Sequence, residues 1–483
     1  MVETLHDDIV KSTHSLYASL PAHGKPVVRS NGIPEWTILA SISIVDPSGR
    51  VIPMSLGTGV KCLPYTKLSE FGDTLHDCHA EILARRGFVR WLLRQSHLYT
   101  RHQVGDTAIA IAREEEEVYV ELARGKFRLK EGLQIWLYIS TLPCGDASTL
   151  YTSAHQKSEE ASQWHEADNN PSAKPGQEGV SRGRSGYTSI STLRTKPGRP
   201  DSIPSISMSC SDKIASWSVL GVQGGLLANI FDPVYLHGII VGGVDTPSDM
   251  DEGSWHAMIK KEMERSVWGR LGNISDLLPG PYILHRPAIH LSSIPFEHSK
   301  TVMMATLPSE IPEPSPSPLS ISHLPFMPPK NPKKGPKPEI IADGGVLGHP
   351  WKQGVTIKEK GRSRICKLVL LGQYESVITE VNEITNGQFT TEEKTYFERK
   401  HPTGSDYQLA KTILRGVPGK GTSIKGLEQF DDILSTGIAK HEEFDPHEMS
   451  RDLDIPLPPF KGWLVAGRQF ESFTASGSLR RNE

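Results

Sequence analysis

The chain has 483 residues, 37% of them hydrophobic, with a net charge of −3 and a pI near 6.7. This composition provides for a large buried core but lacks the overall basic character typical of nucleic-acid-binding proteins, although a local basic surface is compatible with it. The 5 cysteines are a poor disulfide framework, and the sequence shows neither a signal peptide nor an apolar run long enough to span a membrane. We therefore expect an intracellular protein of the cytoplasm or nucleus, without membrane association.

The predicted elements alternate between helices and strands along the chain. Apolar residues at helical spacing predict helices over 9–20, 79–99 and 209–221. Alternating or continuous apolar runs predict strands over 36–46, 51–63, 133–141 and 234–243. This alternation predicts a layered α/β fold, and the whole of 1–483 is expected to form a single domain.

Two segments interrupt the pattern. Residues 152–190 are polar, with few large apolar side chains, so they are expected to form a disordered insertion. Residues 307–338 are rich in proline, serine and lysine, which predicts an extended insertion or linker.

A metal site is predicted where a helix begins and where a buried strand ends. His79 and Glu81 stand in the sequence D-C-H-A-E, and Cys144 stands in L-P-C-G-D. An H-x-E pair followed by P-C is part of the zinc deaminase signature. Three protein ligands leave one position for a water that zinc acidifies, and a carboxylate that is not a ligand, here Glu81, moves the proton.

The third ligand must come from elsewhere, because the usual second cysteine position of this signature is Ala147. The remaining thiols are Cys62, Cys78, Cys210 and Cys366. Cys210 is the best candidate, since it lies at the start of a predicted helix whose dipole favours a thiolate. A lone histidine or cysteine is more often a packed core residue than a ligand, so spacing alone leaves both interpretations open.

Four ordered blocks resemble the deaminase domain shared by adenosine deaminases acting on RNA and tRNA-specific adenosine deaminases. The blocks lie at 77–86, 139–147, 209–214 and 217–227. The resemblance runs over about 30–470 outside the two insertions, and it implies a cytidine-deaminase-like sheet with helices on both faces and added C-terminal helical elements. It also implies zinc ligands at His79, Cys144 and Cys210, with Glu81 as the catalytic proton shuttle.

The resemblance further favours the tRNA branch of the family. Only about 30 residues precede the first predicted strand, which leaves no room for the RNA-binding domains of double-stranded RNA editors. The segment 193–201 also resembles the tRNA branch. The implied activity is hydrolysis of an amidine C–N bond, converting adenosine 37 of alanine tRNA to inosine. The sequence shows no sign of an obligate protein partner. The alternatives are deamination of double-stranded RNA or of a free nucleoside, and an inactive zinc module that binds RNA, against which Glu81 argues.

Basic residues also interrupt the apolar stripes of two predicted helices. Arg85 and Arg86 share a face with apolar residues, as does Lys411, and burying them unpaired would be costly unless they reach out to water. The resemblance implies inositol hexakisphosphate as a buried structural cofactor. Its ligands would be Arg85, Arg86, Lys213, Lys367, Lys400, Tyr407, Lys411 and Trp463. Two positions depart from the family pattern, because Ser216 and Ala466 stand where the editors have arginine and lysine.

RNA contacts are predicted in two places. Lys61 belongs to the segment 57–61, which resembles the family loop that touches the target nucleoside. Arg194, Lys196 and Arg199 are predicted to contact an RNA backbone. The alternative for both is an ordinary solvated cluster of charges.

Overall fold

A computed structural model describes residues 4–104, 117–155, 180–186, 189–196, 202–272, 274–307, 311, 313–329, 335–385, 387, 389–416 and 458–480. Within these residues the α-helices are α1 (Leu5–Ser19), α2 (Ala80–Val104), α3 (Thr149–His155), α4 (Cys210–Leu220), α5 (Gly224–Leu227), α6 (Glu252–Val267), α7 (Lys300–Ala305), α8 (Lys367–Thr385), α9 (Tyr396–Lys400) and α10 (Asp406–Arg415). Short 3-10 helices lie at Tyr65–Lys67, Asp146–Ser148, Gly269–Leu271, Ser275–Leu277, Glu359–Gly361 and Arg468–Phe470.

The strands form one large sheet and several small ribbons. In chain order they are β1 (Glu35–Trp36), β2 (Leu39–Val45), β3 (Val51–Thr58), β4 (Val60–Cys62), β5 (Asp77–His79), β6 (Val120–Ala123), β7 (Lys126–Leu129), β8 (Gln134–Ile139), β9 (Val180–Arg182), β10 (Leu193–Thr195), β11 (Gly238–Val241), β12 (Ala288–Leu291), β13 (Ser315–Pro316), β14 (Ser320–His323), β15 (Glu339–Ala342) and β16 (Gly345–Val346). The large sheet has eight strands in the order β12-β11-β8-β2-β3-β14-β15-β16. Strands β8, β11 and β12 are parallel, and the other neighbours are antiparallel.

Helices cover both faces of this sheet, as the sequence predicts. On one face, Ile9 and Tyr17 of α1 belong to a buried cluster with Leu39 of β2. On the other face, Ile42 of β2 belongs to the main core with Phe88 of α2. Neighbouring residues of a strand point to opposite faces, so β2 supplies both layers. Burial of each large apolar side chain stabilises the fold by about 1.5–3 kcal/mol.

Helix α2 lies unusually close to β3 because glycines stand at the contact. A Cβ at Gly57 would lie 2.6 Å from the carbonyl oxygen of Ala80, and one at Gly87 would lie 2.7 Å from the Cβ of Ser55. Any side chain at these positions would push the helix away from the sheet. The close approach fixes the first turn of α2, which carries Glu81, relative to the strands.

The C-terminal helices extend the domain on the side of α2 and α4. Leu371 and Val381 of α8 join the main core, whereas Ala410 and Leu414 of α10 form a second cluster with Val219 of α4. These contacts place α10 directly against the helix that begins at Cys210. Among the described residues, no helix has both the length and the apolar character needed to cross a membrane.

The structure corrects the predictions for parts of both insertions. Within 152–190, α3 extends to His155, and Val180–Arg182 pairs with β10; residues 156–179 lie outside the described part of the chain. Within 307–338 the prediction of an extended insertion is wrong for β14, which is buried in the large sheet between β3 and β15. This strand is a short S-I-S-H run with a single large apolar residue, so the composition of its surroundings conceals it.

Candidate metal centre

Three separate segments bring the predicted ligands together. His79 is the last residue of β5, directly before α2, and Cys144 lies in the loop that follows β8. Cys210 is the first residue of α4, where the Ser209 hydroxyl caps the helix by accepting a hydrogen bond from the backbone N–H of Asp212. The edge of the sheet and two helix starts thus converge on one point.

The ligand atoms of these residues form a compact group. The Nδ1 atom of His79 lies 3.5 Å from the Sγ of Cys210 and 3.8 Å from the Sγ of Cys144, and all three atoms lie within 4.8 Å of one another. A hydrogen bond from the Cys210 thiol holds the pKa of the Cys144 thiol well below its ordinary range, with Lys196 and His79 acting in the same direction. One imidazole nitrogen and two sulfurs at this spacing are a donor set that suits zinc.

Glu81 lies beside this group without belonging to it. Its side chain is 1% exposed, and its Oε2 atom is buried without a hydrogen-bond partner among the described residues. Burial raises the pKa of this carboxyl, while His79 acts in the opposite direction. A buried carboxylate oxygen with no protein partner is costly in a purely structural role, so its free lone pairs are best explained by a reacting molecule.

Lys196 forms part of a buried chain of charges behind the three predicted ligands. Its Nζ atom lies 2.7 Å from Oδ2 of Asp77 and 3.2 Å from Sγ of Cys210. Lys213 donates to the same carboxylate oxygen at 2.5 Å. Burial opposes the charge on Lys196, but Asp77 and the neighbouring thiols hold the pKa of the ammonium well above its ordinary value. Asp77 thereby links Lys196, beside Cys210, to Lys213 on α4.

A cluster of basic side chains lies between α2, α4 and the C-terminal helices. We define this basic cluster as Arg85, Arg86, Lys213, Lys367, Lys400, Lys411 and Arg415. Glu471 pairs with Lys367 at 3.1 Å and with Lys400 at 2.5 Å. Lys213 pairs with Asp77. The remaining four members form no ion pair within the described residues, namely Arg85, Arg86, Lys411 and Arg415.

The members of the basic cluster lie close enough to repel one another. Burial lowers the pKa of Arg85 to about 10, and Arg86 acts in the same direction. Burial likewise places the pKa of Lys411 well below its ordinary value, with Lys400 and Arg415 contributing. Concentrating positive charge inside a domain is unfavourable unless anionic groups surround it, so the cluster has the character of an anion site.

Comparison with known proteins assigns the chain to a family. The model of the adenosine-deaminase (editase) domain matches residues 55–420. The chain belongs to the adenosine-deaminase (editase) domain family. The editase match contains all three predicted metal ligands and Glu81, together with all seven residues of the basic cluster.

Individual relatives come from both the tRNA and the double-stranded RNA branches. "tRNA-specific adenosine deaminase 1" of Schizosaccharomyces pombe is 36% identical over 47% of this chain and 54% of its own length. The mouse protein of the same name is 26% identical over 85% of this chain and 96% of its own length. "Double-stranded RNA-specific adenosine deaminase" of mouse is 34% identical over 50% of this chain but 20% of its own length. The chain thus matches about half the length of the S. pombe relative.

The predicted RNA-contacting residues differ in their exposure to solvent. Lys61 is exposed on β4, which pairs with β5 beside His79. Arg194 and Lys196 are 1% and 2% exposed, so the prediction that they contact an RNA backbone is wrong. The guanidinium of Arg194 donates instead to backbone carbonyls, including those of Ser185 and Gly186. Arg199 lies outside the described residues.

The remaining thiols do not belong to the group of three, and Cys78, next to His79 in the chain, is buried in the main core. Cys366 is buried in the main core, and the Sγ of Cys62 contacts the hydroxyl of Ser205. Sequence reasoning missed three residues that shape the site, namely Asp77, Glu471 and Arg415. Asp77 was visible in the D-C-H-A-E motif beside the ligands, whereas Glu471 and Arg415 lie far along the chain and carry no local signal.

Proposed function

We propose that this protein converts adenosine to inosine in RNA by zinc-dependent hydrolysis, with tRNA as its substrate. The main supporting observation is the convergence of His79, Cys144 and Cys210 beside Glu81, whose buried Oε2 has no hydrogen-bond partner among the described residues. A structural zinc site is usually closed by four protein ligands and has no use for Glu81. Membership of the adenosine-deaminase (editase) domain family supports the same reaction.

The residues present fit a zinc ion. His79 would bind through Nδ1, and Cys144 and Cys210 through their sulfurs, which leaves a fourth position open. When bound, zinc would lower the pKa of a water molecule and so supply the nucleophile at neutral pH. Lys196 would stabilise the thiolate form of Cys210, since its ammonium lies 3.2 Å from that sulfur.

Glu81 would carry the protons of the reaction. The carboxylate accepts a proton from the attacking water and transfers it to N1 of the adenine ring as the new C6–O bond forms. Glu81 then takes the proton of the new C6 hydroxyl and passes it to the amino group, the C6–N6 bond breaks as the C6=O bond forms, and ammonia leaves, so that inosine remains. The enclosed position of Glu81 keeps bulk water from competing for these protons.

The tRNA assignment rests on the relatives and on the cost of exposing the base. A tRNA anticodon loop presents unstacked bases, which reduces the cost of turning the target nucleotide into a buried site. The match to the mouse tRNA-specific protein supports a tRNA substrate, and within tRNA we propose adenosine 37 of alanine tRNA as the target. A tRNA substrate would place the protein inside the cell. Double-stranded RNA is the second candidate, because an enzyme of that class is 34% identical over half of the chain.

The basic cluster fits inositol hexakisphosphate as a structural cofactor. The residues that would hold it are Arg85, Arg86, Lys213, Lys367, Lys400, Tyr407, Lys411 and Trp463. Phosphate groups would offset the repulsion among the buried cations and accept hydrogen bonds from groups such as Nη2 of Arg86, which is buried without a partner among the described residues. Protein made in a host that lacks inositol phosphates should be unstable, and normal stability there would contradict this cofactor.

The deciding experiment is incubation of the purified protein with alanine tRNA, followed by mapping of inosine. Inosine at position 37 is expected with the wild-type protein, and a Glu81→Ala variant should retain zinc but form none. Inosine in a double-stranded RNA substrate and none in tRNA would favour the second candidate. Zinc and RNA binding without inosine in either substrate would show a non-catalytic module instead.

A further inference from the structure

Arg415 joins two helices at the edge of the basic cluster. It is the last residue of α10, and its Nη2 donates to the Oγ of Ser216 on α4 at 2.5 Å. Its Cζ lies 3.7 Å above the ring of Trp463. The side chain is thus held in one orientation by a hydroxyl on one side and an aromatic face on the other.

The charge of this guanidinium is not balanced by a carboxylate. Within the described residues Arg415 forms no ion pair, and its Nε is buried without a hydrogen-bond partner. Burial lowers the pKa of Arg415 to about 10, and Arg85 acts in the same direction. Arg415 also contributes to the lowered pKa of Lys411. The guanidinium therefore experiences the field of the same cations that form the anion site.

Ser216 explains why there is room for this side chain. It lies three residues after Lys213 on α4, so both side chains point from the same helix face. Serine is short, and at 1% exposure its hydroxyl is buried. A long basic side chain from α10 can therefore occupy the space above this position, where α4 itself offers only a hydroxyl.

We propose that Arg415 is an anion-binding residue of the basic cluster and supplies, from α10, the guanidinium that α4 lacks at Ser216. This inference rests on the proposed inositol hexakisphosphate site. A guanidinium presents several donors in a fixed plane and binds phosphate oxygens in pairs, which a hydroxyl cannot do. Stacking on Trp463 fixes that plane before the anion arrives, so less side-chain entropy is lost on binding.

The test measures retained anion rather than enzyme activity. Wild-type protein, Arg415→Ala and Arg415→Lys are purified from a host that makes inositol phosphates, and bound inositol hexakisphosphate is quantified after acid extraction and after dialysis. Arg415→Ala should retain the anion at least about tenfold less tightly, because one charge-assisted pair of hydrogen bonds is lost. Arg415→Lys, which keeps the charge without the paired donors, should fall between Arg415→Ala and wild type.

Two further variants separate binding from simple packing. Arg286 also lies over a tryptophan, 5.3 Å above the ring of Trp268, but outside the basic cluster, so Arg286→Ala should retain the anion like wild type. The double variant Ser216→Arg with Arg415→Ala returns a guanidinium to the same place from α4 and should recover part of the retention. Failure of this double variant to improve on Arg415→Ala would contradict the proposed exchange.

The outcomes distinguish the inference from the proposal on which it rests. Wild-type protein without any inositol phosphate would overturn the cofactor and the role of Arg415 together. Wild-type protein with the anion, and equal retention by Arg415→Ala, would overturn the role of Arg415 alone. If Arg415→Ala does not fold, melting of Arg415→Lys with and without added inositol hexakisphosphate decides: a loss confined to the anion-dependent part supports the inference, and an equal loss in both contradicts it.

Discussion

Lys196 and Cys210 are in direct contact, with the ammonium Nζ 3.2 Å from the thiol Sγ. The same ammonium pairs with Asp77, whose carboxylate also receives Lys213 of the basic cluster. A continuous chain of charged hydrogen bonds therefore runs from the candidate metal centre to the proposed anion site. The two sites are coupled because the carboxylate of Asp77 pairs with both Lys196, beside Cys210, and Lys213 of the basic cluster.

Replacement of Glu81 should separate chemistry from metal binding. Glu81→Gln keeps the size of the side chain but removes its ability to accept a proton, so inosine formation should fall by at least about 100-fold. Zinc content, measured by atomic absorption, should stay that of wild type. The exposed Glu131 offers a matched control, since Glu131→Gln removes a carboxylate away from the site. Comparable rates for Glu81→Gln and wild type would refute the assigned proton shuttle.

The cysteines provide a matched test of the metal ligands. Cys144→Ser and Cys210→Ser each remove a sulfur from the group of three, and both should lower the zinc content of the purified protein to a small fraction of one equivalent. Cys366→Ser changes a thiol that is as buried as that of Cys210 but does not belong to the group of three. Its zinc content should remain at wild-type level. Equal zinc content in all three variants would place the metal elsewhere.

Lys196 should matter for stability rather than for direct contact with RNA. Lys196→Met removes one partner of the buried carboxylate Asp77, and the unfolding free energy should fall by up to about 3–5 kcal/mol, less where Lys213 compensates. Urea denaturation monitored by circular dichroism measures this change. Lys352→Met, at an exposed position, should leave the unfolding free energy unchanged. Loss of tRNA affinity without loss of stability in Lys196→Met would restore the RNA-contact interpretation.

The α/β fold and the segments that carry His79, Cys144 and Cys210 could be predicted from sequence because their signals are local. The alternating strands around β2, the H-x-E pair at the start of α2 and the capped start of α4 each lie within a few residues. The strand β14 could not be predicted, since its burial is decided by β3 and β15 on either side. The same limit applies to Arg415 and Glu471, whose roles depend on helices that meet only in the folded chain.

The burial of Arg194 shows how a charge run can mislead. The residues L-R-T-K read as an exposed basic segment, because charged residues in an irregular stretch are usually solvated. In the structure the guanidinium of Arg194 donates to the carbonyls of Gly183 and Ser189, and Lys196 reaches inward to Asp77. Both side chains are needed to satisfy buried oxygens, which no property of the segment itself reveals.

His323 should make stability depend on pH in the mildly acid range. Burial lowers its pKa to about 4, and Arg364 acts in the same direction. Because the unfolded chain then binds the proton more readily, the contribution of His323 is complete above about pH 6.5 and is lost as the pH falls towards 4. In His323→Gln the decline of unfolding free energy over this window should be smaller by up to about 3 kcal/mol. The exposed His349 supplies the control, and identical slopes for His349→Gln and His323→Gln would contradict the assignment.

Replacement of Gly224 tests whether the position of the Arg85 side chain depends on its close packing against the backbone of Gly224. Gly224 has φ +72°, and a Cβ there would lie 2.1 Å from Nη2 of Arg85. Gly224→Ala therefore adds a displaced guanidinium to the backbone cost of about 1–2 kcal/mol for a left-handed residue. Gly348 has φ +87° with no atom within 4 Å, so Gly348→Ala carries only the backbone cost. Thermal melting should show a larger loss for Gly224→Ala, accompanied by reduced retention of inositol hexakisphosphate. Equal melting temperatures and equal retention in the two variants would show that the side chain of Arg85 moves aside freely and that its position does not hold the anion.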